Sequence, residues 1–160
     1  MTAPAVLRAV NQGPTTLAIV VPCYNEQEVL PETARRLSGM LDAMAEAGLV
    51  SPCSAIHFVD DGSRDGTWGL ITGLARANPQ RFRGIKLSRN VGHQAALLAG
   101  LRVVPGDAVI SIDADLQDDP AAMAEMVSAF RTGCDVVFGV RRNRDTDTAF
   151  KRRTARAFYA

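Results

Sequence analysis

Three short acidic strings stand out for the chemistry they could do. The first is Pro22-Cys-Tyr-Asn-Glu26, the second Asp60-Asp61-Gly-Ser63, and the third Asp113-Ala-Asp115-Leu-Gln117-Asp118-Asp119. Carboxylates gathered in one crevice repel each other and raise each other's pKa. A divalent cation removes that cost, and carboxylate and carbonyl oxygens suit Mg²⁺ or Mn²⁺. Such an ion completes its shell with phosphate oxygens and water, so these strings imply a metal-bound diphosphate. One Asp-Asp or Asp-x-Asp pair alone reads more simply as a solvated turn or a helix cap. Three such strings at strand ends of one chain do not.

The elements that must position these residues follow from hydropathy patterning. Leu17-Ala-Ile-Val-Val-Pro22 is a continuous apolar run, as expected for a strand covered on both faces. A helix is expected over Glu26 to Ala47, with Val29, Leu37, Met40, Leu41 and Met44 facing inward. Strands are expected at Ala55–Val59, Phe82–Leu87, Asp107–Ile112 and Asp135–Val140. Between them, helices are expected from Asp65, acting as cap, to Asn78, from Val91 to Val103, and from Pro120 to Arg131. Strand and helix alternate every 25–30 residues or so, which predicts an α/β domain: a mostly parallel sheet with helices on both faces. Ligands bind such sheets at the C-terminal strand ends, where all three acidic strings would lie. Neither a Gly-x-Gly-x-x-Gly turn nor a Walker A loop is present, so phosphate must be held by metal and cations. Arg141, directly after the fifth strand, suits that task.

Composition agrees with one globular domain. The 160 residues are 47% apolar and 22% charged, with a net charge of +1, which excludes disorder and a polyelectrolyte binder of nucleic acid. No apolar run reaches the roughly 18–20 residues of a membrane span. The charge is uneven. From Arg141 to Ala160 there are seven Lys/Arg against two Asp, a local +5, while the rest has eleven Lys/Arg against fifteen Asp/Glu, or −4. Residues 1–16 read as a flexible lead-in. The three cysteines, Cys23, Cys53 and Cys134, are odd in number and widely spaced, which fits a reducing compartment and neither a disulfide framework nor a zinc site. His57, inside an apolar strand, reads as a core histidine and Trp68 as packing. For His93, at a helix start, ligand contact and capping both stay open.

Val21-Pro-Cys-Tyr-Asn-Glu26, Val59-Asp-Asp-Gly-Ser63 with Asp65-Gly-Thr67, and Asp113-Ala-Asp-Leu-Gln-Asp118 together resemble the inverting family 2 glycosyltransferases. Arg89-Asn-Val-Gly-His-Gln-Ala-Ala96 and Phe138-Gly-Val-Arg-Arg-Asn-Arg144, with Asp147 and Phe150-Lys-Arg152, narrow the resemblance to polyprenyl-phosphate glycosyltransferases. The resemblance implies a GT-A fold over residues 17–148, a nucleotide-sugar donor of the UDP-glucose or GDP-mannose class (UDP-glucose preferred), and Mg²⁺ or Mn²⁺. It implies inverting transfer of a hexose to a polyprenyl phosphate at the cytoplasmic face of a membrane. Carried over, Pro22, Tyr24, Glu26, Val59 and Asp61 would line base and ribose. Asp113, Ala114 and Asp115 would meet the diphosphate, and Asp113, Asp115 and Gln117 the metal. Arg141 would contact the donor phosphate, Arg144, Lys151 and Arg152 the acceptor phosphate, and Asp147 would act as a catalytic or positioning carboxylate.

Residues 149–160 would begin a basic amphipathic helix lying at the membrane interface. Members of the family continue well beyond such a helix, so the chain reads as an N-terminal fragment that binds donor, with or without turnover. A receiver-like signalling domain also carries acidic residues on a doubly wound sheet. Its acidic pair follows the first strand, however, whereas here the Asp-Asp pair follows the second.

Overall fold

The computed structural model describes residues 13–116 and 122–139. Four strands, β1 (Leu17–Cys23), β2 (Ala55–Asp60), β3 (Phe82–Lys86) and β4 (Ala108–Ser111), form one parallel sheet in the order β3-β2-β1-β4. The helices are α1 (Leu30–Glu46), α2 (Thr67–Ala77), α3 (His93–Val103) and α4 (Ala122–Arg131). All seven residues of β1 are buried, as its unbroken apolar run requires of a strand with neighbours on both edges and cover on both faces.

The pleat divides those side chains between two layers. Leu17, Ile19 and Val21 join Ile56 and Phe58 in a large core with Leu30, Leu37 and Leu41 of α1, Ile71 of α2, and Met123 and Val127 of α4. Val20 and Val59 face the other way, onto Ala96 of α3. Three helices thus cover one face and α3 the other. The close seat of α3 depends on Gly100, where a Cβ would stand 2.6 Å from Val20 Cγ1 and 2.8 Å from Val59 Cγ2.

Several sequence expectations shift. The first helix starts at Leu30 rather than Glu26, because residues 25–27 are tied to a neighbouring loop. Val29 is accordingly exposed instead of facing inward. Asp65 does not cap α2 from the N-cap position. That position is Gly66, and Asp65 Oδ1 instead accepts from the N–H and hydroxyl of Thr67. The fifth strand does not form over 135–139. Val136 and Phe138 are exposed there, and this segment and β4 together line a groove of about 820 Å³. Val140, the lead-in through residue 12 and the expected helix at 149–160 lie outside the described residues. No described helix is long and apolar enough to cross a membrane.

Candidate donor-binding site at the strand switch

The strand order reverses between β1 and β4: the chain winds outward from β1 through β2 to β3, then returns to add β4 on the other side. Such a switch leaves a crevice at the carboxyl ends of the two strands. A cleft of about 180 Å³ lies there, lined by Pro22 and Glu26 from the end of β1, Asp113, Ala114 and Asp115 from the end of β4, and His93 from the start of α3.

Each wall is held by bonds that the sequence motifs explain. Asn25, at φ 57, turns the chain after β1, a conformation an Asn side chain tolerates. Its N–H donates to Ser63 Oγ, and its Oδ1 accepts from the Arg64 N–H at 2.9 Å. The Glu26 N–H donates to Thr67 Oγ1 at 2.8 Å, while Gln27 Oε1 accepts from the Gly66 N–H at 2.8 Å. Ser63, Asp65 and Thr67, conspicuous beside the Asp-Asp pair, thus lash the loop after β2 to the loop bearing Glu26. On the other wall, the Thr33 hydroxyl of α1 donates to the Ala114 carbonyl and so fixes the turn between Asp113 and Asp115. Leu116 follows at φ 50, a left-handed conformation costly for a branched side chain.

Asp61 is almost fully buried, and both its oxygens are engaged. They accept from the amides of Val91 and Gly92 at 2.8 and 2.9 Å. Its N–H donates to the Cys23 carbonyl. In this structure it clamps the start of α3 to the end of β1. The adjoining Gly62, at φ +69, lets the chain pass Arg89 and Asn90 where a Cβ would stand 2.6 Å from their backbone.

The electrostatics match the expectation of crowded carboxylates. Glu26 is held above the usual carboxylate range, first by burial and then by Asp115, Asp65 and Asp113. Asp113 is exposed, and its Oδ1 lies 3.5 Å from His93 Nε2. Asp60 is fully buried and its Oδ2 has no partner. Burial also pushes the neighbouring Cys23 thiol up, with Glu26 and Asp60 adding to the effect. Among the described residues no three His, Cys, Asp or Glu side chains stand close enough to cage an ion. A hard cation here would be held by one or two carboxylates and would take its other oxygens from a bound phosphate and water.

The sequence-derived candidates therefore divide. Pro22, Glu26, Asp113, Ala114 and Asp115 meet in the cleft, and Tyr24 is exposed on the same loop as Glu26. The Val59 side chain does not line it. It is fully buried against α3, since a central strand presents side chains to the two covered faces, so only its backbone could meet a ligand. Gln117, Arg141, Arg144, Asp147, Lys151 and Arg152 lie outside the described residues. The sequence reading missed Thr33 and the clamping role of Asp61. Thr33 gives no local signal, because it sits on α1, 81 positions before the carbonyl it holds.

A parallel sheet with an acidic cleft at the β1–β4 switch and no glycine-rich phosphate loop fits the GT-A fold of glycosyltransferase domains. The chain belongs to glycosyl transferase family 2, whose sequence profile matches residues 18–159. It is 49% identical over 151 residues to YkoT, an uncharacterized glycosyltransferase of Bacillus subtilis, covering 93% of this chain and 44% of that protein. It is 40% identical over 136 residues to an undecaprenyl-phosphate 4-deoxy-4-formamido-L-arabinose transferase of Pseudomonas fluorescens, covering 85% of this chain and 38% of that protein. The chain thus spans less than half the length of these relatives. Its fold is shared with the mannosyltransferase PcManGT of Pyrobaculum calidifontis, solved with GDP-Man and Mn²⁺, at a TM-score of 0.60 and 24% identity over 84% of this chain and 38% of that one.

Proposed function

We propose that this chain forms the donor-binding part of an inverting glycosyltransferase that passes a sugar from a nucleotide sugar to a polyprenyl phosphate. The observation that carries the reading is the meeting of Glu26, Asp113 and Asp115 at the strand switch. The relatives named as undecaprenyl-phosphate transferases support the acceptor class. Asp113 and Asp115, with Gln117, would hold Mg²⁺ or Mn²⁺. When bound, that ion supplies positive charge against the leaving diphosphate.

The chain's own residues do the rest by position and charge. Tyr24 and Glu26, with the loop that Asp61 anchors, would bound the nucleoside side. Arg141 would contact the donor phosphate and stabilise charge on the departing nucleotide. A phosphate monoester is already largely ionised near neutral pH, so the acceptor needs alignment more than deprotonation. Arg144, Lys151 and Arg152 would hold the acceptor phosphate, with Asp147 positioning it. The basic segment 149–160 would lie on the membrane surface that presents the acceptor, on its cytoplasmic face.

Calorimetric titration of UDP-glucose and GDP-mannose, with and without Mn²⁺, tests donor binding. Transfer to undecaprenyl phosphate tests turnover. Binding that requires the metal is expected, with UDP-glucose as the first donor to try. Absence of binding to either donor with metal present overturns the reading. Because the chain is less than half the length of its relatives, a second reading is donor binding without turnover, and it would be shown by binding with no transfer.

A further inference from the structure

The cleft is walled mainly by Glu26, Asp113 and Asp115, which can accept hydrogen bonds but repel phosphate. Among the described lining residues, His93 alone carries a side-chain N–H. Its place is set from both sides. Asp61 binds the two amides just before it, and Gly100 seats α3 against Val20 and Val59 beyond it. The imidazole itself has little to do for the fold. It is half exposed, and α3 begins without a side-chain capping bond, which removes capping as its task. What it does face is Asp113, 3.5 Å away, and the open cleft.

A diphospho-sugar entering this cleft presents phosphate oxygens and sugar hydroxyls, and the phosphate oxygens only accept hydrogen bonds. We infer that His93 is a further substrate-contacting residue, its single imidazole N–H bonding an oxygen of the donor's diphospho-sugar portion. This rests on the proposed function and names the group that reads that part of the donor.

The test compares wild type, His93→Ala and His93→Gln by calorimetry with Mn²⁺. The ligands are UDP, GDP, UDP-glucose and GDP-mannose, with uridine and guanosine measured by competition. Loss of one hydrogen bond to a charged group corresponds to about tenfold in affinity. His93→Ala is expected to weaken the sugar nucleotides by about tenfold and leave the nucleosides unchanged. His93→Gln, which keeps an N–H, is expected to recover most of that loss. A loss already present with UDP or GDP assigns the contact to phosphate; a loss confined to the sugar nucleotides assigns it to the sugar. Unchanged sugar-nucleotide affinity in His93→Ala overturns the inference, as does an equal loss for nucleosides or no recovery with Gln. Wild type that binds no sugar nucleotide overturns the proposed function and this inference together. Wild type that binds, beside an unaffected His93→Ala, overturns the inference alone.

Discussion

At the scale of single residues, the chain separates groups kept for a ligand from groups kept for the fold. Under the proposed function, Asp115 belongs to the first kind. Asp115→Asn keeps the shape but halves the charge that the Asp113–Asp115 turn offers a cation. It should weaken metal-dependent nucleotide binding by about tenfold or more, and an unchanged affinity would remove Asp115 from the metal shell. His57 belongs to the second kind. Burial, with Arg83 nearby, pushes its pKa down to about 4 from 6.5. Above about pH 6.5 the ring is neutral in both the folded and the unfolded chain, and stability carries no pH dependence from it. Between 6.5 and 4 the unfolded chain binds a proton that the folded one refuses, so stability falls by up to about 1.4 kcal/mol per pH unit. Urea midpoints measured from pH 7 to 4 should therefore drop more steeply for wild type than for His57→Met. Parallel curves would show that His57 is not buried neutral.

At the scale of elements, the site is an outcome of how α3 and two loops are fastened. The Gly100 contact brings α3 close enough for its first turn to reach the cleft. Gly100→Ala forces a methyl into Val20 and Val59. Overpacking of this kind costs about 1–3 kcal/mol, and the shift of α3 should also weaken sugar-nucleotide binding. Thermal melts paired with calorimetry read both effects; a variant as stable and as tight-binding as wild type would show that α3 does not depend on this seat. The elements were largely legible from hydropathy because strands and helices repeat apolar residues at different periods. Their ends were less so. The first helix was expected four residues too early because Glu26 is held by Thr67, 41 positions on, a bond that no local pattern announces. Asp135–Val140 reads as strand by its apolar residues, but strand formation needs a paired neighbour, and among the described residues 135–139 pair with no strand.

At the scale of the whole molecule, the charge asymmetry is the feature that reaches beyond the cleft. The +5 segment from Arg141 to Ala160 on a −4 body suits a domain held against an anionic bilayer. Lys151→Glu combined with Arg152→Glu should reduce the fraction pelleting with liposomes rich in anionic lipid and leave the fold's melting temperature unchanged. An equal pelleted fraction would reject the interfacial segment.

What the amino-acid order determined alone was the class of structure. Alternating apolar segments dictated a parallel sheet, and acidic strings following strands β1 and β4 marked the ends that meet in the cleft. Which of the acidic residues share the cleft was decided only in three dimensions. Asp61 and Asp115 look alike as letters, yet one spends both oxygens on backbone amides and the other lines the opening. The reason is that strand order sets which loops become neighbours. The switch lies between β1 and β4, so the ends of those two strands make the cleft, while the end of β2 serves to hold α3 and His93 beside it.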